Sequence, residues 1–171
     1  DGSNAVEAFA NIPLVDDTLA ARIAMYNVTE GGYINNIRST WQIPLVNPSF
    51  QPDSDEPIVP DSRAVSRNDQ FVADNFNDAT YQGYRLGLLW APSDDWDVLL
   101  QHTSQTIETE GVWDYDPELG ELNSRSFQPD YADDEFDLTT WTATGQVANL
   151  DVIYTGSFLD RTVEGISDYS G

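Results

Sequence analysis

The stretch YQGYRLGLLWAPSDDWDVLLQHTSQTI, Tyr81 to Ile107, decides the fold. Tyr84, Leu86, Leu88 and Trp90 recur at every second position, and Tyr81, Gly83, Arg85 and Gly87 occupy the positions between them. A period of two is the signature of a strand, whose side chains point alternately to opposite faces. After the tight connection Pro92-Ser93-Asp94-Asp95, Trp96, Val98 and Leu100 continue an apolar face, while Asp97, Gln101, Thr103 and Gln105 make a largely polar one. Leu89 and Leu99 interrupt the polar side. Trp90 and Trp96 stand at the two strand ends nearest the turn, where aromatic rings anchor a membrane–water boundary. The hairpin reads as two strands of a transmembrane barrel.

Working outward in both directions gives more of the same. Val6, Ala8, Ala10 and Ile12 alternate with Glu7, Phe9 and Asn11. Across the short Val15-Asp16-Asp17 turn, Leu19, Ala21, Ile23 and Met25 alternate with Arg22, Ala24 and Tyr26. The Ala-rich segment from Leu19 to Met25 has helix propensity, but Tyr26-Asn27-Val28-Thr29 and the stop at Gly31-Gly32 favour a strand. Toward the other end, Thr139, Trp141, Ala143 and Val147 share a face, and Leu150, Val152, Tyr154, Gly156 and Phe158 form an apolar stripe beyond Ala148-Asn149. The expected strands lie near residues 5–14, 18–30, 80–91, 96–110, 136–147 and 150–163, in a single β segment over 1–171.

Two polar stretches separate them. Residues 31–79 are rich in Pro, Asp, Asn and Ser, with isolated aromatics Trp41, Phe50, Phe71 and Phe76; residues 111–135 hold Trp113, Tyr115, Phe127 and Tyr131 among carboxylates. Connections therefore run short, long, short, long, short. Up-and-down outer-membrane barrels have this asymmetry, with tight periplasmic turns and long extracellular loops. The predicted fold class is all-β: antiparallel up-and-down strands of a transmembrane β-barrel. It is partial, because single-chain barrels begin at about eight strands.

Composition sets the remaining bounds. A formal net charge of −23, from 30 acidic and 7 basic residues, excludes a nucleic-acid partner, since phosphate binding needs a cationic surface. Every basic residue is Arg, and Cys is absent, so neither disulfides nor thiolate chemistry is available. No apolar run approaches the ~18 residues of a membrane helix. Membrane residence would have to come from strands.

Three pieces of this chain resemble TonB-dependent outer-membrane receptors. They are Asn11 to Ala24 with Glu30-Gly31-Gly32-Tyr33-Ile34-Asn35-Asn36, Tyr84 to Trp96 with its Trp-Ala-Pro and acidic turn, and Leu150 to Arg161. The resemblance covers about half the chain and implies a 22-stranded barrel with an N-terminal plug, a class whose lumen is plugged. It implies uptake of a scarce ligand (an iron chelate, cobalamin or a glycan) powered through TonB. The partners implied are outer-membrane lipid and lipopolysaccharide, the TonB complex reached through a plug, and a small-molecule ligand; the location implied is the outer membrane of a Gram-negative bacterium. The plug, the TonB box and the terminal aromatic strand are missing from these residues, which marks them as a piece of the N-terminal half of the barrel.

The candidate ligand-binding residues are Trp41, Trp113, Tyr115 and Tyr131 in the expected extracellular loops, with Arg22 and Arg85 on the expected lumen face. Exposed aromatics can stack on a sugar ring or an aromatic chelate, although packing of loop on loop uses the same residues, and the arginines can equally pair with lumen or plug carboxylates. Asp114, Asp116, Glu118 and Glu121 offer carboxylates for Ca²⁺, without the glycine and register of an EF-hand; a solvated acidic loop accounts for the same residues. Asp133-Asp134-Glu135-Phe136-Asp137 reads as an exposed loop base or a divalent-ion site near lipopolysaccharide. His102, the single histidine, shares a face with Leu100 and has no triad or zinc partners. No cofactor and no enzymatic activity are expected. The competing reading is a soluble or cell-surface β-sandwich that binds carbohydrate or protein.

Overall fold

The computed structural model describes residues 2–44 and 63–169. Asp1 and Phe50 lie outside them. Among the described residues ten strands run in chain order: β1 Asn4–Val15, β2 Leu19–Glu30, β3 Asn35–Asn36, β4 Thr40–Pro44, β5 Arg63–Arg67, β6 Ala79–Ser93, β7 Trp96–Glu110, β8 Asn123–Ser124, β9 Tyr131–Val147 and β10 Leu150–Ile166, with one 3-10 turn at Pro117–Leu119. The six long strands form one sheet in the order β1-β2-β6-β7-β9-β10, and every pairing in it is antiparallel. The protein is thus all-β, an up-and-down meander with β1 and β10 as open edges. No helix among the described residues is long and apolar enough to cross a membrane.

Register turns the alternation of each strand into two continuous faces. On one, Leu19, Trp90, Val98, Ala143 and Tyr154 stand side by side; the next rung holds Ile12, Ala21, Leu88, Leu100, Trp141 and Gly156. Ala10, Ile23, Leu86, His102, Thr139 and Phe158 follow, then Ala8, Met25 and Tyr84. With the Trp96–Gly145 rung below, the band covers ~20 Å along each strand at ~3.4 Å per residue, staggered across the sheet: on β7, β9 and β10 the rung of Tyr84 is already polar, with Ser104, Asp137 and Asp160. Beyond it, the same face turns acidic: Glu108, Asp133 and Glu164 are direct neighbours. The opposite face carries Asn11, Arg22, Gly87, Gln101, Thr140 and Ser157 on one rung and Phe9, Ala24, Arg85, Thr103, Leu138 and Leu159 on the next.

Among the described residues nothing covers either face. Among the described residues the buried apolar side chains are Ile34, Ala79 and Phe127, all at the long-loop end, while Met25, Leu86, Leu88, Leu100 and Phe158 on the band are exposed. A sheet that leaves this much contiguous apolar area in the open is an interaction surface.

Aromatic rings shape the band locally. Trp96 lies over Gly145 and Trp141 over Gly156, so closely that a Cβ on either glycine would come within 2.2 Å of the Trp96 ring or 2.4 Å of the Trp141 ring. Gly145→Val is therefore expected to push Trp96 off its neighbour strand and cost about 1–3 kcal/mol. A changed near-ultraviolet dichroism and a lower unfolding temperature would report it.

Two expectations are corrected. Asp133-Asp134-Glu135-Phe136-Asp137 is not a loop base, and Tyr131 is not a loop aromatic: β9 begins at Tyr131. Its neighbours β7 and β10 both extend this far, pairing Glu110 and Ile166 with Tyr131 and Ile107 and Val163 with Asp134. Ladder bonds use only the backbone, so long neighbours carry a polar sequence into the sheet, and Arg161 secures it by a two-donor contact with Asp134. The long connections, 31–78 and 111–130, also hold strands that their polar composition hid.

Candidate functional site

Both long connections leave and rejoin the sheet at one end, where their described residues fold into a cap with a polar heart. Residues 35–36 pair in parallel with 123–124, joining the two connections. Asn36 is the hub. Its Nδ2 donates to the carbonyls of Phe71 (2.7 Å) and Ser126 (3.1 Å), while its Oδ1 accepts from the Ser126 N–H (2.8 Å) and Asn68 Nδ2 (3.4 Å). Asn68 in turn binds the backbone of Ser39 and Ile37, and Asn77 Oδ1 accepts from the N–H groups of Tyr33 and Ile34, each at 2.7 Å. All three asparagines are buried. Short amide side chains suit this task because they present a donor and an acceptor to loop backbone that has no ladder of its own. Beyond β10, the Asp168 carboxylate accepts from the N–H groups of Phe127 and Gln128, and its N–H donates to Asp130 Oδ1 at 2.7 Å.

On this frame sit exposed aromatics. Trp113 meets Tyr33 edge to face at 6.4 Å, and Trp41 meets Phe127 at 6.4 Å. Tyr115 is exposed as well. Tyr33 was not among the residues singled out from the sequence; its position beside the Gly31-Gly32 stop was the available signal. Tyr131 instead lines a cleft of about 550 Å³ between residues 70–76 and the ends of β7 and β9, with Phe71, Phe76, Glu108, Glu110 and Asp133. Its four carboxylates, Asp130 included, make it hospitable to cations and hostile to anions.

Of the four expected calcium ligands, one is engaged elsewhere. Asp116 caps the 3-10 turn, its Oδ1 accepting from the Glu118 N–H at 2.9 Å, and its other oxygen lies 3.7 Å from Arg125. Among the described residues, no three His, Asp or Glu side chains gather into a group that could hold a metal ion.

Arg22 and Arg85 stand apart from the cap, on the polar face of the sheet. Arg22 Nη1 donates to Asn11 Oδ1 at 3.2 Å and its guanidinium lies 5.3 Å from the centre of the Phe9 ring; Arg85 Nε donates to Thr103 Oγ1 at 3.2 Å. Neither meets a carboxylate among the described residues. His102 lies at the upper part of the apolar band, 3.0 Å from Thr139 Oγ1 through Nδ1 and 3.6 Å from Asp137 through Nε2. The structure thus gathers the aromatic candidates at the cap and leaves the arginine candidates on the sheet wall.

Comparison with protein-family models, with curated proteins and with solved structures finds no significant match for this chain.

Proposed function

We propose that this chain is part of the barrel wall and outer cap of a TonB-dependent receptor that takes up a scarce ligand across a Gram-negative outer membrane. The observation that carries the reading is the two-faced open sheet: an apolar band that no described residue covers, a polar face behind, and both long connections leaving and rejoining at one end. Lipid would cover the band, and water or a plug would meet the polar face. Strands of 15 to 17 residues exceed the ~9–11 needed to cross the hydrocarbon core. Their acidic upper ends would then stand among lipopolysaccharide headgroups. The cap would catch the ligand, an iron chelate, cobalamin or a glycan, through Trp41, Trp113 and Tyr115. Passage would require energy delivered by the TonB complex through a plug, and no bond chemistry.

Because these residues contain no Cys, single introduced cysteines test the reading in the complete native polypeptide in its own membrane. A fluorophore at Leu88→Cys or Leu100→Cys is expected to be quenched several-fold by nitroxide-labelled lipid, and one at Thr103→Cys or Thr140→Cys to be unaffected. Detergent-free solubility with no lipid quenching at any of the four positions would replace the receptor by the β-sandwich binding module.

A further inference from the structure

The cleft beside Tyr131 has a floor of sheet and two anchored walls. The floor is the upper end of β7 and β9, where Glu108 stands opposite Asp133 and Glu110 opposite Tyr131. By alternation these four lie on the face that carries the apolar band. One wall is residues 70–76, with Phe71 and Phe76, and the other is Gln128, Pro129 and Asp130. Asn36 Nδ2 draws the two walls together by donating to the Phe71 and Ser126 carbonyls. The Gly111 N–H donates to the Asp130 carbonyl at 2.8 Å, and the Phe76 ring lies against Gly111, where a Cβ would come within 2.8 Å of it. Ser126 Oγ, 3.0 Å from Asp130 Oδ2, and the Asp168 N–H fix the Asp130 carboxylate on its wall. A cavity of about 550 Å³ is within the size range of small-molecule sites, and walls already braced lower the cost of filling it.

The lining sets the chemistry of the occupant. Glu108, Glu110, Asp130 and Asp133 exclude an anion. Successive rungs along a strand stand ~7 Å apart, and among the described residues no three carboxylates converge as a metal site requires. Phe71, Phe76 and Tyr131 supply aromatic surface in the same cleft. Negative charge spread over a floor and a wall, with rings beside it, is complementary to an extended organic cation. Its methylenes lie along the rings while its ammonium groups reach separate carboxylates. A metal ion would meet one rung and leave the rings unused.

We propose that this cleft binds a small linear polyamine. The cleft is on the band's side of the sheet and not on the polar face, so the site is separate from the uptake route proposed above and holds whether lipid or protein meets the band.

Spermidine is the probe, with the complete polypeptide in non-ionic detergent at near-physiological ionic strength, where diffuse attraction between exposed charges is screened. Equilibrium dialysis is expected to show saturable binding that Mg²⁺ at matched ionic strength does not displace. Asp133→Asn combined with Glu110→Gln should weaken it at least ten-fold. Asp94→Asn combined with Asp95→Asn removes the same charge at the β6–β7 turn, the opposite end of the sheet, and should leave it unchanged. Spermidine coupled by a water-soluble carbodiimide should be found, by peptide mass mapping, on Glu108, Glu110 or Asp133 at least ten-fold above Asp94 and Asp95, which locates the site without any variant. The site is overturned by the absence of saturable binding, by displacement with Mg²⁺ at matched ionic strength, by weakening no greater for the cleft pair than for the turn pair, or by coupling no greater in the cleft than at the turn.

Discussion

Asn36→Ala is expected to release the cap while leaving the six-stranded sheet paired. The substitution removes four side-chain hydrogen bonds at once and leaves the Ser126 N–H and the Phe71 and Ser126 carbonyls without a partner, while Asn68 Nδ2 keeps the Ile37 carbonyl. Each buried group left without a partner costs about 1–3 kcal/mol, so the local loss should be at least ~3 kcal/mol after relaxation. Asn36→Asp should be no gentler, since it would set a carboxylate oxygen against two carbonyl oxygens. Hydrogen exchange checks this directly: protection should fall at residues 33–39, 68–78 and 122–128 and persist in β6, β7 and β9. Equal loss in those strands would mean that cap and sheet form one cooperative unit, contrary to the separation argued above.

The second large effect concerns the faces of the sheet. Leu88 lies mid-band between Ala21 and Leu100, whereas Thr140, on the opposite face, lies between Gln101 and Ser157. If lipid covers the band, Leu88→Arg should cost ~2–4 kcal/mol of assembled receptor. Thr140→Arg, on a wet and polar wall, should cost under ~1 kcal/mol. The folded fraction of each variant in the outer membrane, read from heat-sensitive gel mobility, measures the difference. Equal losses would refute the assignment of faces.

Much of the frame was legible in the residues because a strand writes its exposure into every second position. The hairpin Tyr81 to Ile107, the turns at Asp16-Asp17 and Ala148-Asn149, and the face shared by His102 and Leu100 could all be read in this way, and the register agrees. Where both alternate positions are polar the code is silent. Nothing in Tyr131 to Glu135 signals a strand, and only the reach of β7 and β10 on either side draws it into the sheet. The site was less legible. Trp113 could be named from its loop, but its partner Tyr33 lies 80 residues away in sequence, and the joining of the two connections through Asn36 rests on long-range bonds that leave no local pattern.

The sequence by itself determined the all-β class, the period, the six long strands and the asymmetry of their connections, because these follow from local alternation and turn chemistry. Only the tertiary structure decided how far β9 runs, that the loops knit into one asparagine-centred cap, and that Arg22 and Arg85 face no carboxylate. Each of those depends on which backbone groups and charges meet across strands far apart in the chain, and pairing at a distance is not encoded in any single stretch.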